Sequence, residues 1–170
     1  MARRKEFDVD TALQSALEVF WEKGYEATSM QDLVDAMGIQ RASLYATYGD
    51  KHALYVAALR RYQRETFDEL AAHFAKATSP VAAIREFVQE VADWAVGKQG
   101  RRGCLCVNAN VELAPRDLLV ADTLRDHHQR METLLAATLQ RAVATGELPR
   151  KTDCTSLATF LLGAVVAINV

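Results

Sequence analysis

The chain has 170 residues, of which half are apolar and a quarter are charged, and its formal net charge is −2. This composition allows a substantial buried core in one domain, or in a small module joined to a larger one, and it excludes a disordered chain or a wholly basic nucleic-acid coat protein. The charged N-terminus lacks the apolar stretch of a signal peptide, and the apolar tail 157–170 is shorter than the ~20 residues of a membrane-spanning helix. We therefore expect a cytoplasmic protein without a membrane partner.

Helix signals occur along almost the whole chain, and no segment alternates convincingly as a strand does. Apolar residues at helical spacing, capping residues and glycine or proline stops predict eight helices. Their predicted ranges are 9–23, 28 or 29 to 37, 40–47, 51–75, 80 to about 96, 104–114, 118–145 and 155 to the end of the chain. Three glycines predict a loop at 97–103. The expected fold class is therefore all-α.

The segment 28–51 predicts a helix-turn-helix, in which the second of two short helices enters the major groove of DNA. Gly38 separates the two helices, and Leu44 is placed to hold the second against Leu33 and Val34, because so short a helix is not stable alone. Its other side chains are small or polar, which suits close approach to bases, and Arg41 is placed to contact a guanine edge or a phosphate. The predicted DNA contacts are Ser29, Gln40, Arg41, Ala42, Ser43, Tyr45, Thr47, Tyr48 and Lys51.

Positive charge accompanies this segment. Between residues 40 and 64, Asp50 is the one anion, against the cations Arg41, Lys51, Arg60, Arg61 and Arg64. The run 3–5, with two arginines and a lysine, is a further candidate for following the DNA backbone. Two interpretations of Tyr45 and Tyr48 stay open, since a tyrosine serves both for packing, here on the fourth helix, and for a hydroxyl contact to phosphate.

The stretch ALEVFWEKGYEATSMQDLVDAMGIQRASLYATYGDKHALY at 16–55 resembles the DNA-binding region of the TetR family of repressors. The resemblance implies a DNA-binding domain at 1–50 and a helical effector-binding and dimerisation domain at 51–170. It also implies a homodimer that binds double-stranded operator DNA and is released by a small-molecule effector. A ninth helix expected from the resemblance is absent, so the sequence predicts either a truncated product or an altered dimer surface.

Apolar stripes in the larger domain have two interpretations, a plain core and an effector pocket. The candidate pocket residues are Phe67, Phe87, Val91, Trp94, Asn108, Glu112, His127, His128 and Met131. One of the two histidines has to lie near the apolar side of the seventh helix, and His128 shares the spacing of its apolar residues. A buried imidazole there is either a hydrogen-bonded core residue or a group that orients a ligand. On the sixth helix, at least one of the polar residues Asn108, Asn110 and Glu112 is expected to face inward, on a face shared with Cys104, Val107 and Val111.

Cys104 follows two arginines at the predicted start of a helix, and both features favour a reactive thiolate. The segment GCLCVN at 103–108 resembles the corresponding sequence of a subset of TetR-like regulators, some of which sense electrophiles or oxidants through a cysteine. The alternative is that Cys104 is a small buried filler. Because Cys106 lies two positions further along a helix, the two side chains are expected to point apart and not to pair.

Two other function classes fit the sequence less well. An enzyme or metal protein built on the cysteines and histidines is disfavoured, because the sequence contains no His-Glu-x-x-His, Cys-x-x-Cys or glycine-rich phosphate loop. A helical interaction module without DNA binding differs from a repressor in lacking salt-dependent affinity for DNA. The sequence thus predicts a non-enzymatic transcriptional regulator with no cofactor and no metal.

Overall fold

A computed structural model describes residues 8–97 and 99–169. Within these residues the structure is helical and contains no strand, which confirms the all-α prediction. The helices are α1 (Val9–Lys23), α2 (Met30–Met37), α3 (Arg41–Tyr48), α4 (Lys51–Lys76), α5 (Pro80–Val96), α6 (Leu105–Glu112), α7 (Leu118–Ala144) and α8 (Cys154–Ile168). Across the described ranges, no helix is long and apolar enough to cross a membrane.

Capping explains why most helices begin where the sequence predicts. The side chains of Asp8, Ser79 and Asp117 accept backbone N–H bonds at the starts of α1, α5 and α7. Asp50 does the same for α4, with its Oδ1 2.7 Å from the backbone nitrogen of Ala53. These carboxylates and hydroxyls satisfy donors that would otherwise lack partners in the first helical turn.

Two predicted segments differ from the structure. The loop at 97–103 contains a 3₁₀-helix, Gln99–Arg102, because the Gly103 N–H donates to the Gly100 carbonyl at 3.0 Å. The eighth helix, predicted to continue to the chain end, stops at Ile168, where the Asn169 side chain donates to the Val165 carbonyl at 2.8 Å.

The sixth helix is also shorter than the predicted 104–114, and its buried face is different. It buries Leu105 and Ala109, whereas Val111 is 72% exposed. The expectation that Val111 shares an inward face with Cys104 is therefore wrong. Leu105, Ala109 and the buried Leu113 are spaced four residues apart, which is the spacing that keeps side chains on one side of a helix.

The chain divides into two compact units between Tyr62 and Gln63, inside α4. The first turns of α4 belong to the N-terminal unit because their apolar side chains are buried there. Tyr55 is 1% exposed, and its ring centroid lies 5.0 Å from that of Phe20 and 5.1 Å from that of Tyr25. Edge-to-face aromatic packing of this kind stabilises more than the buried area alone.

The C-terminal unit has an apolar core formed by α4, α5, α7 and α8, with members that include Leu70, Phe74, Ile84, Leu135, Leu139 and Leu162. Arg141 of α7 closes the end of α4 by donating to the carbonyls of Phe74 at 2.8 Å and Ala77 at 3.1 Å. A guanidinium thus bonds to carbonyls at and just beyond the end of α4, where the regular helical hydrogen bonds stop.

Candidate functional site

The first short helix of the helix-turn-helix is fixed at both ends. The Ser29 hydroxyl accepts the Asp32 N–H at 3.1 Å, and an Asp32 carboxylate oxygen accepts the Ser29 N–H at 2.8 Å, which completes a capping box. Gly38 ends the helix at φ +64°, a conformation that favours glycine. The predicted start and turn are therefore confirmed.

Charge reinforces the same capping box. The Lys23 ammonium lies 2.7 Å from an Asp32 oxygen, linking the end of α1 to the start of α2. This hydrogen bond, followed by those from Ser29, holds the pKa of Asp32 well below its ordinary value near 3.8. The ionised carboxylate consequently serves two helices at once at neutral pH.

The second short helix, α3, has one buried side and one open side. Leu44 is completely buried, as the sequence predicts for the residue that holds α3 in place. Ser43 is half-buried. The open side consists of exposed residues, namely Gln40, Arg41, Ala42, Tyr45, Ala46 and Thr47. Small and polar groups of this kind present little steric obstacle to a base edge.

Arg41 and Tyr45 form a pair on this open side. The guanidinium carbon of Arg41 lies 5.8 Å from the centroid of the Tyr45 ring, and the Tyr45 side chain is 41% exposed. Stacking of a guanidinium on an aromatic ring restricts its motion while leaving its N–H donors available. Arg41 is thereby held where a bidentate contact to a base edge or phosphate is possible.

The hydroxyls of Tyr48 and Ser29 are already hydrogen-bonded within the protein, which the sequence does not indicate. The Tyr48 hydroxyl donates to the Val9 carbonyl at 3.3 Å, so it is bonded to α1. Burial, followed by the charge of Asp10, raises the pKa of Tyr48. The Ser29 hydroxyl donates to Asp32 at 2.7 Å. Their contacts to DNA stay predictions, and each requires its hydroxyl to exchange a partner or act as an acceptor.

The predicted stripe of five cations is reduced by intramolecular pairing. Arg61 is only 14% exposed, and it donates to Asp10 at 3.0 Å and Gln14 at 2.9 Å. The Lys51 ammonium lies 4.4 Å from the centroid of the Tyr25 ring, a cation–π contact that leaves it half-buried. Arg60 and Arg64 are exposed. The run 3–5 lies outside the described residues.

Most candidate pocket residues lie within the C-terminal unit in ordinary packing. Phe87 and Met131 pack against the apolar core. The Phe67 ring is covered by the guanidinium of Arg130, whose central carbon is 4.1 Å from the ring centroid. Asn108 donates to the Arg102 carbonyl at 2.7 Å. Val91, Trp94 and Glu112 are half-buried.

The two histidines of α7 are placed differently from the sequence pattern. One of the two histidines lies near the apolar side, as expected, but it is not His128, which is 51% exposed beside Glu132 although it shares the spacing of the apolar residues. His127 is the inward-facing residue, because the apolar stripe runs through Leu124, position 127 and Met131 at alternating steps of three and four residues. Its Nδ1 is buried and has no hydrogen-bond partner among the described residues. Burial, followed by the charges of Arg130 and His128, lowers the pKa of His127 to about 4.

Two further polar side chains accompany His127 and were missed by the sequence analysis. Thr123, one turn earlier on α7, is 7% exposed, and its hydroxyl has no partner within the described part of the chain. The Gln63 amide on α4 is also buried and donates to the Thr123 carbonyl at 3.3 Å. The available signal was a threonine and a histidine four positions apart on an otherwise apolar face.

The two cysteines of GCLCVN meet, contrary to the sequence prediction. Cys104 is the N-cap of α6 with extended backbone angles, φ −79° and ψ 130°. Its side chain therefore does not follow the helical direction assumed for a pair two residues apart. Hydrogen bonding with Cys104, together with burial, raises the pKa of Cys106 well above its ordinary value. Both residues are half-buried and reduced. Nowhere in the described ranges do three metal-ligating side chains cluster.

Comparison with known proteins gives consistent matches over the whole chain. Residues 12–58 match the family model "Bacterial regulatory proteins, tetR family", and residues 80–170 match "Tetracyclin repressor-like, C-terminal domain". The HTH-type transcriptional repressor ComR of Escherichia coli is 37% identical over 160 residues, which are 94% of this chain and 76% of ComR. The regulator YezE of Bacillus subtilis is 35% identical over 162 residues, 95% of this chain and 84% of YezE.

A solved structure extends the similarity to a DNA complex. The TetR family regulator CifR, as a cysteine mutant bound to a 26-base-pair double-stranded operator, superposes with a TM-score of 0.85 at 32% identity. The match covers 99% of this chain and 88% of the CifR chain. With the capped α2, the glycine turn and the open side of α3, these similarities show that the chain belongs to the TetR family and is a DNA-binding transcriptional regulator.

Proposed function

We propose that the chain is a cytoplasmic repressor that binds its operator as a homodimer through α3 and releases it when a small molecule enters the C-terminal unit. The observation that carries the DNA-binding part is the polarity of α3. Leu44 is fully buried on one side, while Arg41 and Tyr45 are exposed on the other. The effector and dimer are supported by family membership. No catalytic activity is proposed, because binding and release of DNA require none.

Dimerisation is supported by apolar surface on α8. Phe160 is 71% exposed, and Val166 and Ile168 are each more than one-third exposed. Large apolar side chains exposed on one helix favour burial against another molecule. We therefore propose that α8 contributes to a two-fold interface. Operator binding by such a dimer requires its two copies of α3 to reach successive major grooves, roughly 34–36 Å apart.

A shift assay on the DNA upstream of the chain's own gene tests the DNA contacts. The reduced protein should bind this duplex with an affinity that falls steeply as salt increases. Arg41→Ala should weaken binding by roughly 5- to 150-fold and relax the sequence preference, if the guanidinium contacts a base edge. Lys51→Ala should weaken all sequences alike and reduce the salt slope by about one.

Arg85→Ala is the matched control, because Arg85 is an exposed arginine of the C-terminal unit. It should bind like the wild type. If Arg41→Ala and Lys51→Ala both bind the duplex like Arg85→Ala, the assignment of contacts to α3 and α4 is wrong.

For the effector, we propose a small organic molecule that hydrogen-bonds to Thr123 and His127. Both side chains present a buried polar atom without a partner in the described structure, and a buried polar group lacking a bond costs ~1–3 kcal/mol. A bound molecule that supplies a donor or acceptor there would remove that cost. The neutral imidazole of His127 is suited to this contact, because no charge has to be desolvated.

Mass spectrometry of the purified protein, first native and then denatured, tests this site. A compound held by wild type should be lost from Thr123→Val, a substitution close in volume that removes only the hydroxyl. The variant should keep the wild-type affinity for DNA in the absence of the compound. A compound retained equally by both proteins would contradict the proposed contact.

A second candidate is an electrophile- or oxidant-sensing repressor that uses Cys104. Its half-buried position at the N-cap of α6, separated from Arg101 and Arg102 in the sequence by Gly103, supports this function. Alkylation rates measured across pH test it. A Cys104 that reacts no faster than cysteine in a free peptide would remove this candidate.

A further inference from the structure

Two thiols lie together at the start of α6. Hydrogen bonding joins Cys104 and Cys106, and the Gln63 side chain is a further hydrogen-bonding partner of Cys106. Cys104 makes no capping hydrogen bond to the α6 backbone, so its sulfur is not committed to the helix end. The cluster therefore consists of two adjacent thiols and one amide, contributed by two different helices.

The backbone fixes the turn that presents Cys104. The Asn108 N–H donates to the Cys104 carbonyl at 2.9 Å, while the Asn108 side chain donates to the Arg102 carbonyl at 2.7 Å. Gly103 between them has φ +63°, and a Cβ there would lie 2.9 Å from the Asn108 Oδ1. These bonds fix the backbone on both sides of Gly103 and hold Cys104 at the N-cap position, since neither flanking carbonyl can move without breaking a bond.

We propose that Cys104 and Cys106 form a reversible intramolecular disulfide when the protein meets a hydroperoxide. Resting on the proposed repressor function, this inference deepens it by identifying an oxidant class and a second reacting residue. The Cys104 thiolate attacks the peroxide oxygen, which breaks the O–O bond and gives a sulfenic acid. The Cys106 sulfur then attacks the Cys104 sulfur, and the sulfenic hydroxyl leaves as water with the Cys106 proton. With hydrogen peroxide, two thiols are oxidised and the peroxide is reduced to two waters.

The surroundings assign different roles to the two sulfurs. Cys104 is assigned as the attacking residue, because it lies at a helix N-terminus and two arginines closely precede it in the sequence, and positive potential stabilises a thiolate. Cys106 is the resolving residue, since hydrogen bonding with Cys104 and burial raise its pKa and keep it protonated until its partner is oxidised. Proximity makes the second step intramolecular and therefore fast relative to over-oxidation.

We expect disulfide formation to alter the packing of α4 through the Gln63 side chain. A disulfide holds its sulfurs about 2.0 Å apart, closer than two thiols in hydrogen-bonding contact. Closing that gap draws the Cys106 sulfur toward Cys104 and away from the Gln63 amide, which also donates to the Thr123 carbonyl. Gln63 would then repack between α4 and α7. We therefore expect oxidation to weaken DNA binding.

The test uses the full chain with hydrogen peroxide and a duplex of the DNA upstream of its own gene. Trypsin cleavage after Arg102 and Arg116 yields the peptide 103–116, which contains Cys104 and Cys106 but not Cys154. After oxidation, this peptide should lose two hydrogens and resist alkylation, and dithiothreitol should reverse both changes. Affinity for the duplex should fall by about tenfold and recover on reduction.

Single variants separate the steps. Cys106→Ser should stop at a Cys104 sulfenic or sulfinic acid, and Cys104→Ser should leave Cys106 unmodified at the same dose. If the wild-type peptide carries sulfinic acid on Cys104 while Cys106 remains alkylatable, the disulfide is refuted. A disulfide that forms with no change in affinity refutes the regulatory role. If the reduced protein does not bind the duplex, the proposed repressor function fails instead, and the peptide map still decides the disulfide.

Discussion

Replacing Leu44 by alanine tests whether one buried side chain positions the DNA-contacting helix. Leu44 is completely buried, and α3 has only eight residues, too few to form a stable helix alone. Removing the side chain beyond Cβ loses ~2.4 kcal/mol of transfer free energy at ~0.8 kcal/mol for each carbon group. With the cavity added, we expect the unfolding free energy of the N-terminal unit to fall by about 3 kcal/mol.

Leu118→Ala is the matched control, because it makes the same chemical change at a side chain that is 84% exposed. It should alter the unfolding free energy by less than about 0.5 kcal/mol. Urea unfolding followed by tryptophan fluorescence measures both variants, since Trp21 reports on the N-terminal unit and Trp94 on the C-terminal unit, which contains Leu118. The shift assay, run where Leu44→Ala is still folded, should also show weaker DNA binding. Equal stability of the two variants would refute the assigned role of Leu44.

Three further predictions address acid sensitivity and backbone strain. The pKa of Asp32 in the folded protein lies below its ordinary value, so the stability that this carboxylate contributes is present above pH 3.8 and is lost as the pH falls. Asp32→Asn should therefore make the free energy of unfolding in urea depend less on acid pH. Because the pKa of His127 is lowered in the folded protein, the unfolded chain binds more protons than the folded chain between pH 6.5 and about 4. Lowering the pH through this window should therefore reduce the stability of the wild type, and should reduce that of His127→Gln less. By NMR, one imidazole should titrate near pH 4. Gly103→Ala, which places a Cβ at φ +63° and 2.9 Å from Asn108, should lower the unfolding free energy by roughly 1–3 kcal/mol in thermal or urea denaturation, whereas Gly163→Ala in open space on α8 should not.

The positions of the helices were predictable because their determinants are local. Asp8, Ser29, Asp50 and Ser79 each bond to a backbone N–H two or three residues away, so a capping residue in the sequence directly specifies a helix start. The wrong boundary at 97–103 has the opposite cause. Glycines there indicate a loop, and the i+3 bonds of a 3₁₀-helix leave no distinct apolar period to detect.

The side-chain environment of the sites was not predictable in the same way. His127 and His128 are adjacent, so a rotation of about 100° around α7 decides which of them is buried, and an apolar stripe allows either choice where its period is ambiguous. The Cys104–Cys106 contact depends on Cys104 lying outside the helix at its N-cap, a shift of one residue from the predicted start. Helix boundaries assigned from sequence are uncertain by at least one residue. The helical spacing rule was therefore applied to Cys104, which lies outside the helix and does not follow it.

The number of DNA-contacting cations illustrates why charge counting alone overestimates an electrostatic interface. Arg61 is committed to Asp10 and Gln14 of α1, and Tyr48 donates to Val9 of the same helix, so both hold the start of α1 instead of presenting free polar groups. Each phosphate contact contributes about 0.9 to the slope of log affinity against log salt. An arginine paired in the folded protein releases no counterion on binding, and the measured slope should therefore be smaller than the sequence count implies. A slope unchanged by Arg61→Gln, together with a less stable N-terminal unit, would distinguish this structural arginine from a phosphate contact.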